Sequence, residues 1–267
     1  MPPAQDMPQP RITLSSLAEM GFLAAFDPPT GQFDPHGDWV HTYLIFGLSG
    51  WEPATKLGFL KVSRHRAPDA PCVTLAVEKR LAMLNARTHR TCAEMTCACD
   101  AMCSLISWSV QSCIVDEASG ESAGGLPAEE TGRVDDQTLH IDTRGRGFTR
   151  SVRGPVTADW CLVDVVQRLP FDQGAHVELA VLEELEMLQQ RRQLSYAGVE
   201  TLTTRGGEMA LHRYSQPGHG VSPSDFWVDC MHRLVVAVSD TNAYVLDPTA
   251  EAAWPSISRD FGATAGR

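Results

Sequence analysis

The chain has 267 residues, of which 43% are hydrophobic and 21% charged, and it carries a net charge of −11 at pH 7. This composition is that of a globular protein long enough to bury a large core without metals or disulfides. The acidic balance argues against nucleic acids and anionic membranes as partners, since both are bound by clustered basic side chains.

The sequence has no export signal at its start and no apolar run that approaches the about 18 residues of a membrane span. We therefore expect no membrane partner, and a cytoplasmic location if Met1 is the natural start. A secreted protein from which the leader had been removed would have the same features, so a removed signal peptide stays open.

Residues 1–37 are expected to form an N-terminal segment that is disordered except for one short helix. Residues 1–11 are rich in proline, which disfavours regular structure. Ser16 and Glu19 then have the spacing of a capping box, in which side chains bind the free backbone N–H groups of the first helical turn. The short helix is expected to begin near Ser16.

The segment 38–115 is expected to form a first β-rich half. In residues 39–48, apolar side chains fall on both faces of an extended chain, as in a strand that is covered on both sides. An alternating run at residues 87–99 is typical of a strand with one buried face. Further strands are expected at residues 56–64, 71–79 and 107–115.

Residues 116–137 interrupt this pattern. The segment contains seven acidic residues, one arginine and several glycines. Like charges and glycine favour an extended, solvated chain. The sequence therefore predicts an acidic linker, or a long surface loop, between two halves.

Residues 138–248 are expected to form a second β-rich half, followed by a disordered tail at residues 249–267. Strands are expected at 138–142, at 158–169 and in most of the segment from 194 to 248. The hydrophobic periodicity of residues 177–192 fits either a helix or a strand. Their leucine, glutamate, glutamine, arginine and methionine content favours one helix near 177–192.

Four tryptophans mark the two halves. Trp39 and Trp108 are 69 residues apart, and Trp160 and Trp227 are 67 apart, each near the start of an apolar, strand-like run. The acidic linker falls between the two pairs. The sequence thus predicts a mainly β fold. Either two curled antiparallel halves follow each other as an internal duplication, or residues 38–248 form one continuous barrel-like domain.

Eight cysteines are present, and five of them lie within the 22 residues from Cys92 to Cys113. The spacing of the first four, C-x4-C-x-C-x3-C, lacks the C-x2-C pair whose tight turn aims two sulfurs at one metal ion. Free cysteine is commonly buried as a small apolar residue. We favour core thiols and expect no metal and no cofactor, with a metal site and a redox pair as the alternatives.

Histidines and acids of the second half are the candidates for catalysis: His212, His219, Asp225, Asp229 and His232. Imidazole titrates near neutral pH, so a histidine beside a carboxylate can act as a general acid or base. Their spacing matches no catalytic motif, and the nucleophile elbow, the phosphate-binding loop and the zinc-protease signature are absent from the sequence. The alternative is that these residues occupy solvent-facing turns and loops.

A second set of residues is expected to line a ligand pocket: Trp39, His41, Tyr43, Arg64, Trp160, Tyr214 and Trp227. Trp39, His41 and Tyr43 share one face of a strand, because side chains alternate along it. Aromatic and polar side chains on one face form the kind of wall that binds small, partly apolar molecules. The alternative role of these residues is in the core.

Residues 155–247 carry a further pattern. A tryptophan run is followed by Y-x-G-x-E-T at Tyr196–Thr201, by W-V-D-x-x-x-R-L at Trp227–Leu234 and by Y-V-L at Tyr244–Leu246. In this order of features the chain resembles bacterial β-rich domains of unknown function, which form curled antiparallel sheets. The resemblance implies the fold and no chemistry.

The expected function is that of a non-catalytic module that binds a small, partly apolar ligand, because β-cups commonly enclose ligands. One alternative is a metal-independent hydrolase or lyase that uses histidine, aspartate and arginine side chains at the junction of the halves. Another is a scaffold or interaction protein, which would have an exposed apolar patch instead of a deep cavity. The oligomeric state stays open.

Overall fold

The structure is a computed structural model that describes residues 12–48, 54–68, 70–117, 119–123, 127–174, 176–217, 223–239 and 241–264. Residues 1–11, which are expected to be disordered, and the candidate catalytic residue His219 lie outside these ranges.

Strands dominate the described residues, and three helices accompany them. The helices are α1 (Leu14–Glu19), α2 (Leu162–Val166) and α3 (Ala250–Thr264). The strands are β1 (Trp39–Gly47), β2 (Lys56–His65), β3 (Cys72–Met83), β4 (Arg87–Ala98), β5 (Leu105–Asp116), β6 (Ala128–Asp135), β7 (Thr138–Thr143), β8 (Arg146–Ser151), β9 (Val156–Ala158), β10 (His176–Glu183), β11 (Met187–Thr204), β12 (Gly207–Gln216), β13 (Ser224–Val228), β14 (Leu234–Ser239) and β15 (Asn242–Leu246).

All of these strands belong to one sheet, in the order β8-β7-β6-β5-β4-β3-β2-β1-β15-β14-β13-β12-β11-β10-β9. The first strand of the chain, β1, therefore pairs with the last, β15, with Tyr43 opposite Leu246. Neighbouring strands are antiparallel except β9 and β10, which are parallel. The chain runs outward from the centre to one edge, crosses to the other edge and returns.

Residues 152–155 join β8 to β9, although these two strands form opposite edges of the sheet. A flat sheet of this size would separate its edges by about 65 Å, at about 4.8 Å between neighbouring strands. The connection spans at most about 18 Å. The sheet must therefore curl until its edges approach each other. Accordingly, β9 lies beside β5, and Thr157 Oγ1 donates a hydrogen bond to the Cys103 carbonyl oxygen at 3.3 Å.

The curled, unclosed sheet confirms the predicted mainly antiparallel, barrel-like fold. The short N-terminal helix is also confirmed as α1, but its cap differs from the expected pair of Ser16 and Glu19. Thr13 is the N-cap, and its Oγ1 accepts a hydrogen bond from the Ser16 backbone N–H at 3.2 Å. The Ser16 hydroxyl oxygen accepts in return from the Thr13 N–H at 2.9 Å.

Alternation along the strands separates an inner core from an outer core. In β1, Tyr43 and Ile45 pack inside the curl, whereas Leu44 and Phe46 pack in the outer core. Helix α2 lies within the inner core, and all of its residues are buried. Helix α3 covers β1, β2 and β3 on the outside, and α1 lies against β11. Strand β1 is thus covered on both faces, as its sequence predicts.

The helix expected near residues 177–192 is wrong. These residues form β10 and the first part of β11, which pair antiparallel, with Glu183 opposite Met187. Glu184 and Leu185 make the tight turn between the strands, with φ values of 47° and 61°. Strand pairing overrides the helix-favouring composition because it buries Leu179–Leu182 in the inner core, which is a tertiary effect that local propensity does not contain.

A disordered tail is expected at residues 249–267. This prediction is wrong for Ala250–Thr264, which form α3. Trp254, Ile257 and Phe261 recur at the spacing of one helical face and pack in the outer core. Burial of this stripe stabilises the helix, since a short polar helix without packing is marginal in water.

Two other segments also differ from their expected structure. Ala128–Asp135, expected as part of the acidic linker, forms β6 and pairs with β5. Residues 158–169, expected as a strand, contain α2 instead. A run that is apolar on all sides has no periodicity that separates a buried strand from a buried helix, so the pattern is ambiguous there.

The four tryptophans do not occupy equivalent positions. Trp39, Trp108 and Trp160 belong to the inner core, and Trp227 belongs to the outer core. Trp108 lies across β6 at Gly132, where a Cβ atom would collide with the indole ring. The internal duplication stays a prediction.

Candidate functional site

A cavity of about 480 Å³ lies inside the curl, between the inner face of the sheet and the segment that leads into α2. Small-molecule sites typically have volumes of about 300–1,000 Å³ and a mainly apolar lining with a few polar groups. Its apolar wall includes Tyr43, Leu60, Trp160, Val181, Phe226 and Leu234. Its polar residues include Lys79, Asp159, Glu184, Gln216, Ser224, Ser239, Asn242 and Tyr244.

Lys79 and Glu184 form an ion pair at one end of the cavity. The inward positions of β3 are apolar from Val73 to Val77, and the next inward position is Lys79, which is 7% exposed. Its Nζ atom lies 2.7 Å from Glu184 Oε1. Glu184 belongs to the β10–β11 turn, and its side chain is 63% exposed. The ion pair therefore reaches from the buried cavity to the surface.

Asp159 follows β9 and lies beside this ion pair. Burial, together with the nearby Glu184 carboxylate, raises the pKa of its carboxyl group to about 7. Backbone N–H groups of Glu184 and Trp160 and the charge of Lys79 oppose the rise without cancelling it. The Trp160 N–H donates to Asp159 Oδ1 at 2.9 Å. A carboxyl group with this pKa either donates or accepts a hydrogen bond near neutral pH.

Tyr244, on β15, lies at the same end of the cavity as Lys79, Asp159 and Glu184, and these four residues form its polar end. Burial raises the pKa of its phenol, so it enters the cavity as a neutral hydroxyl. Burial lowers the pKa of Lys79, but its acidic neighbours, Glu184 among them, outweigh this effect and the pKa is raised overall. Lys79 is therefore a cation with a partner, and the polar end presents both hydrogen-bond donors and acceptors.

A second polar group lies on the β12 side of the cavity. Gln216, on β12, is 2% exposed, and its Oε1 accepts a hydrogen bond from Arg192 Nη2 at 3.1 Å. Within the described ranges, Gln216 Nε2 and the Nε and Nη1 atoms of Arg192 have no hydrogen-bond partner. Buried donors without partners are costly. Gln216 thus lines the cavity and carries a buried amide donor without a protein partner among the described residues.

The structure places two of the seven expected ligand-binding residues on the cavity wall, namely Tyr43 and Trp160. Trp39 and His41 pack inside the curl. Trp39 stacks on His41 with ring centroids 4.7 Å apart, and His41 Nε2 lies 3.1 Å from Gln167 Oε1. Burial lowers the pKa of His41 to about 4, so this imidazole is neutral.

The remaining residues of that set hold α2 or lie outside the curl. Arg64 Nε lies 2.9 Å from the buried Asp164 Oδ1 of α2. The Tyr214 hydroxyl donates to the carbonyl oxygens that follow α2, with a distance of 2.9 Å to Leu169. Trp227 packs in the outer core, with the Arg213 guanidinium 5.3 Å from its ring centroid. These contacts favour structural roles for Arg64, Tyr214 and Trp227.

Two of the expected catalytic residues meet around one phenyl ring. His212 and His232 both stack on Phe171, with centroid distances of 3.6 and 4.0 Å. The Tyr196 hydroxyl lies 2.9 Å from His212 Nδ1. Burial lowers the pKa of both imidazoles. Neither histidine lines the described cavity.

The two expected catalytic aspartates have different partners. Asp229 Oδ1 accepts hydrogen bonds from the backbone N–H groups of Met231 and Arg233, so it stabilises the turn before β14. Burial raises the pKa of Asp229. Asp225 pairs with Arg213, at 2.9 Å, beside the outer core. Of the described members of this set, His212, His232 and Asp229 therefore lie near one another, whereas Asp225 is held by Arg213. A catalytic role for these residues stays a prediction.

The sequence-based prediction missed Lys79, Asp159, Glu184 and Tyr244. Lys79 carries a detectable signal, since it continues an alternating apolar series where another apolar residue is expected. Glu184 falls within residues 177–192, for which a helix is expected, whereas the structure places it in the β10–β11 turn. No local signal connects either residue to Asp159 or Tyr244, because strand order alone brings them together.

Three thiols also converge beside α2, on residues from separate segments. Cys97 is on β4, Cys103 is in the β4–β5 turn, and Cys161 precedes α2. Their sulfur atoms all lie within 4.8 Å of one another, and all three residues are fully buried. Cysteine thiolates bind metal ions, so this cluster is chemically able to hold one.

No protein-family model matches the chain, and no curated protein matches it in sequence. The fold is similar to the crystal structure of a β-barrel-like protein of the domain of unknown function DUF1849 from Brucella abortus. The TM-score is 0.54 and the sequence identity 6%, over 79% of this chain and 96% of that chain. This similarity concerns the fold alone. It confirms the expected resemblance to bacterial β-rich domains of unknown function.

The helices in the described part of the chain are too short or too polar to cross a bilayer.

Proposed function

We propose that the protein binds a small, partly apolar molecule in the cavity inside the curled sheet. The observation that carries this proposal is the shape and lining of the cavity, which has about 480 Å³ and an apolar wall with polar groups concentrated around Lys79 and Asp159. A ligand that places its apolar body against Leu60 and Phe226 gains about 25 cal/mol for each Å² of apolar surface it removes from water.

The polar end favours an uncharged head group. Glu184 balances the charge of Lys79 at 2.7 Å, so a ligand carboxylate would have to compete with an existing partner. Asp159, with a pKa of about 7, and the Tyr244 hydroxyl can each donate or accept a hydrogen bond. A hydroxyl or amide head group matches this mixture, because it also both donates and accepts.

A fluorescence titration with N-phenyl-1-naphthylamine, a neutral apolar probe, tests the proposal. Ala237→Phe places a ring in the cavity, because Ala237 lines it. Val40→Phe adds the same ring at a position that is 59% exposed, and it serves as the matched control. We expect wild type and Val40→Phe to bind the probe equally and Ala237→Phe to bind at least about tenfold more weakly. Equal binding by all three folded proteins would contradict the proposal.

A hydrolase or lyase is the second candidate, and Asp159 rather than the histidines favours it. A carboxyl group with a pKa of about 7 in a cavity is suited to general acid–base catalysis. Hydrolysis of p-nitrophenyl acetate by the wild type, abolished in Asp159→Asn with probe binding retained, would support catalysis. The scaffold alternative has less support, since a scaffold is expected to have an exposed apolar patch instead of a deep cavity.

A further inference from the structure

The cysteine cluster has the dimensions of a metal site. Cys97 Sγ and Cys161 Sγ lie 3.7 Å apart, and Cys103 Sγ is within 4.8 Å of both. A metal ion about 2.3 Å from each of three sulfurs holds them about 3.8–4.0 Å apart, for tetrahedral and trigonal geometry respectively. Small rotations of the side chains are therefore sufficient to place three sulfurs around one ion.

A fourth sulfur lies next to the three thiols. Met95 Sδ is 3.6 Å from Cys161 Sγ, and Met95 is fully buried on β4. The nearby carboxylate of Asp164 is engaged by Arg64 at 2.9 Å and by Arg168 at 2.6 Å. The ligands at hand are therefore three thiols, which release their protons to solvent when they bind a metal ion, and a thioether, while the Asp164 carboxylate is already held by two cations.

Three cysteines that merely fill a core are the simpler explanation, because free cysteine is often buried. Two features speak against it. The residues come from β4, from a turn and from the start of α2, yet their sulfurs contact each other. Cys103 also has a φ of 48°, in the left-handed region that non-glycine residues rarely adopt.

We propose that Cys97, Cys103 and Cys161 bind one monovalent copper ion, with the Met95 thioether as an adjacent weak ligand. Soft thiolate and thioether ligands select Cu(I), whereas Zn²⁺ takes thiolate, imidazole or carboxylate as its fourth ligand. The site joins the β4–β5 turn to the segment before α2, close to the place where Thr157 bonds to the Cys103 carbonyl. Cu(I) bound there fastens the β4–β5 turn to the segment that follows β9, the strand at one edge of the curled sheet.

Anaerobic titration of the reduced, full-length protein with Cu(I), in competition with the chelator bicinchoninate, tests the proposal. The background protein carries Cys99→Ala and Cys230→Ala, because both residues are exposed and are expected to bind copper only adventitiously. We expect this double variant to retain one tightly bound Cu(I) per chain. Adding Cys161→Ala should weaken the affinity at least about a hundredfold, and adding Met95→Leu at most about tenfold.

Two measurements on the double variant keep the proposal falsifiable if Cys161→Ala does not fold. X-ray absorption should show three sulfur neighbours about 2.3 Å from copper, and thermal unfolding should shift to higher temperature when Cu(I) binds the folded state. A stoichiometry below about 0.2 copper per chain would overturn the proposal. Tighter binding of Zn²⁺ than of Cu(I) would overturn it as well.

Discussion

Lys79 and Glu184 are 105 residues apart in the chain, yet Lys79 Nζ and Glu184 Oε1 lie 2.7 Å apart at the end of the cavity. The two partners differ in burial, since the lysine side chain is 8% exposed and that of the glutamate 63%. Removing either partner therefore has a different consequence for the free energy of unfolding, although the same interaction is lost.

Glu184→Gln should destabilise the protein by about 0.5–1 kcal/mol, because it leaves the buried ammonium with a weaker partner while solvent screens part of the loss. Lys79→Met should change the free energy of unfolding by less than about 0.5 kcal/mol or increase it, because the buried charge is removed together with its desolvation cost. Urea unfolding at pH 7 measures both values. A larger loss in Lys79→Met than in Glu184→Gln would contradict the assignment of Lys79 as the buried partner.

Asp159 makes stability depend on pH. Its pKa is raised from 3.8 to about 7 in the folded protein, so the folded state binds more protons than the unfolded state between these values. The stability contributed by the neutral carboxyl is fully present below about pH 4 and is lost as pH rises through about 7. Asp159→Asn removes this dependence. The free energy of unfolding of the variant, relative to that of the wild type, should therefore increase as the pH rises from 4 to 8.

Urea unfolding of wild type and Asp159→Asn at pH 4, 6 and 8 measures this effect. Asp135→Asn is a suitable control, because Asp135 is exposed at the end of β6. A constant difference between wild type and Asp159→Asn across this range would show that Asp159 titrates at its ordinary pKa.

The buried charges of α2 should be far more important for stability than surface ion pairs. Asp164 is fully buried and lies 2.9 Å from Arg64 and 2.6 Å from Arg168. Asp164→Asn leaves two arginines without a counter-charge and should cost about 3–5 kcal/mol. Glu251→Gln breaks the exposed ion pair in which Lys61 Nζ lies 2.7 Å from Glu251 Oε2. This change should cost at most about 1 kcal/mol. Urea unfolding compares the two variants, and equal losses would contradict the argument.

The parts of the fold that follow from local pattern could be predicted. Strand β3 alternates buried and half-buried positions, and β1 is apolar on both faces. Both strands and the burial of their faces could therefore be recognised from the sequence. Strand β10 was not, because its composition favours a helix and only pairing with β11 makes it a strand. Helix α3 was missed, although Trp254, Ile257 and Phe261 have helical spacing.

The candidate site was largely beyond prediction, because its residues meet through strand order. Lys79, Asp159 and Tyr244 lie on β3, after β9 and on β15, and no local spacing connects them. Tyr43 and Trp160 were recognised as aromatic residues of a possible pocket, and both line the cavity. Trp227 has the same local signal, but alternation along β13 directs it to the outer core.

Helix α3 offers a test of the outer core. Trp254 is 4% exposed, and its ring meets Phe59 of β2 edge to face, with centroids 5.9 Å apart. Trp254→Ala removes a large buried aromatic side chain and should cost about 3–5 kcal/mol. Arg259→Ala changes an exposed residue of the same helix and should alter stability by less than about 0.5 kcal/mol.

Urea unfolding followed by circular dichroism measures the free energy of both α3 variants, and the probe titration shows whether the cavity is affected. Because Trp254 packs on the outside of β2 while the cavity lies inside the curl, Trp254→Ala should retain probe binding below the unfolding transition. A Trp254→Ala protein as stable as Arg259→Ala would mean that α3 does not pack on the sheet in solution. Loss of probe binding in a folded Trp254→Ala protein would mean that the outer core controls the shape of the cavity.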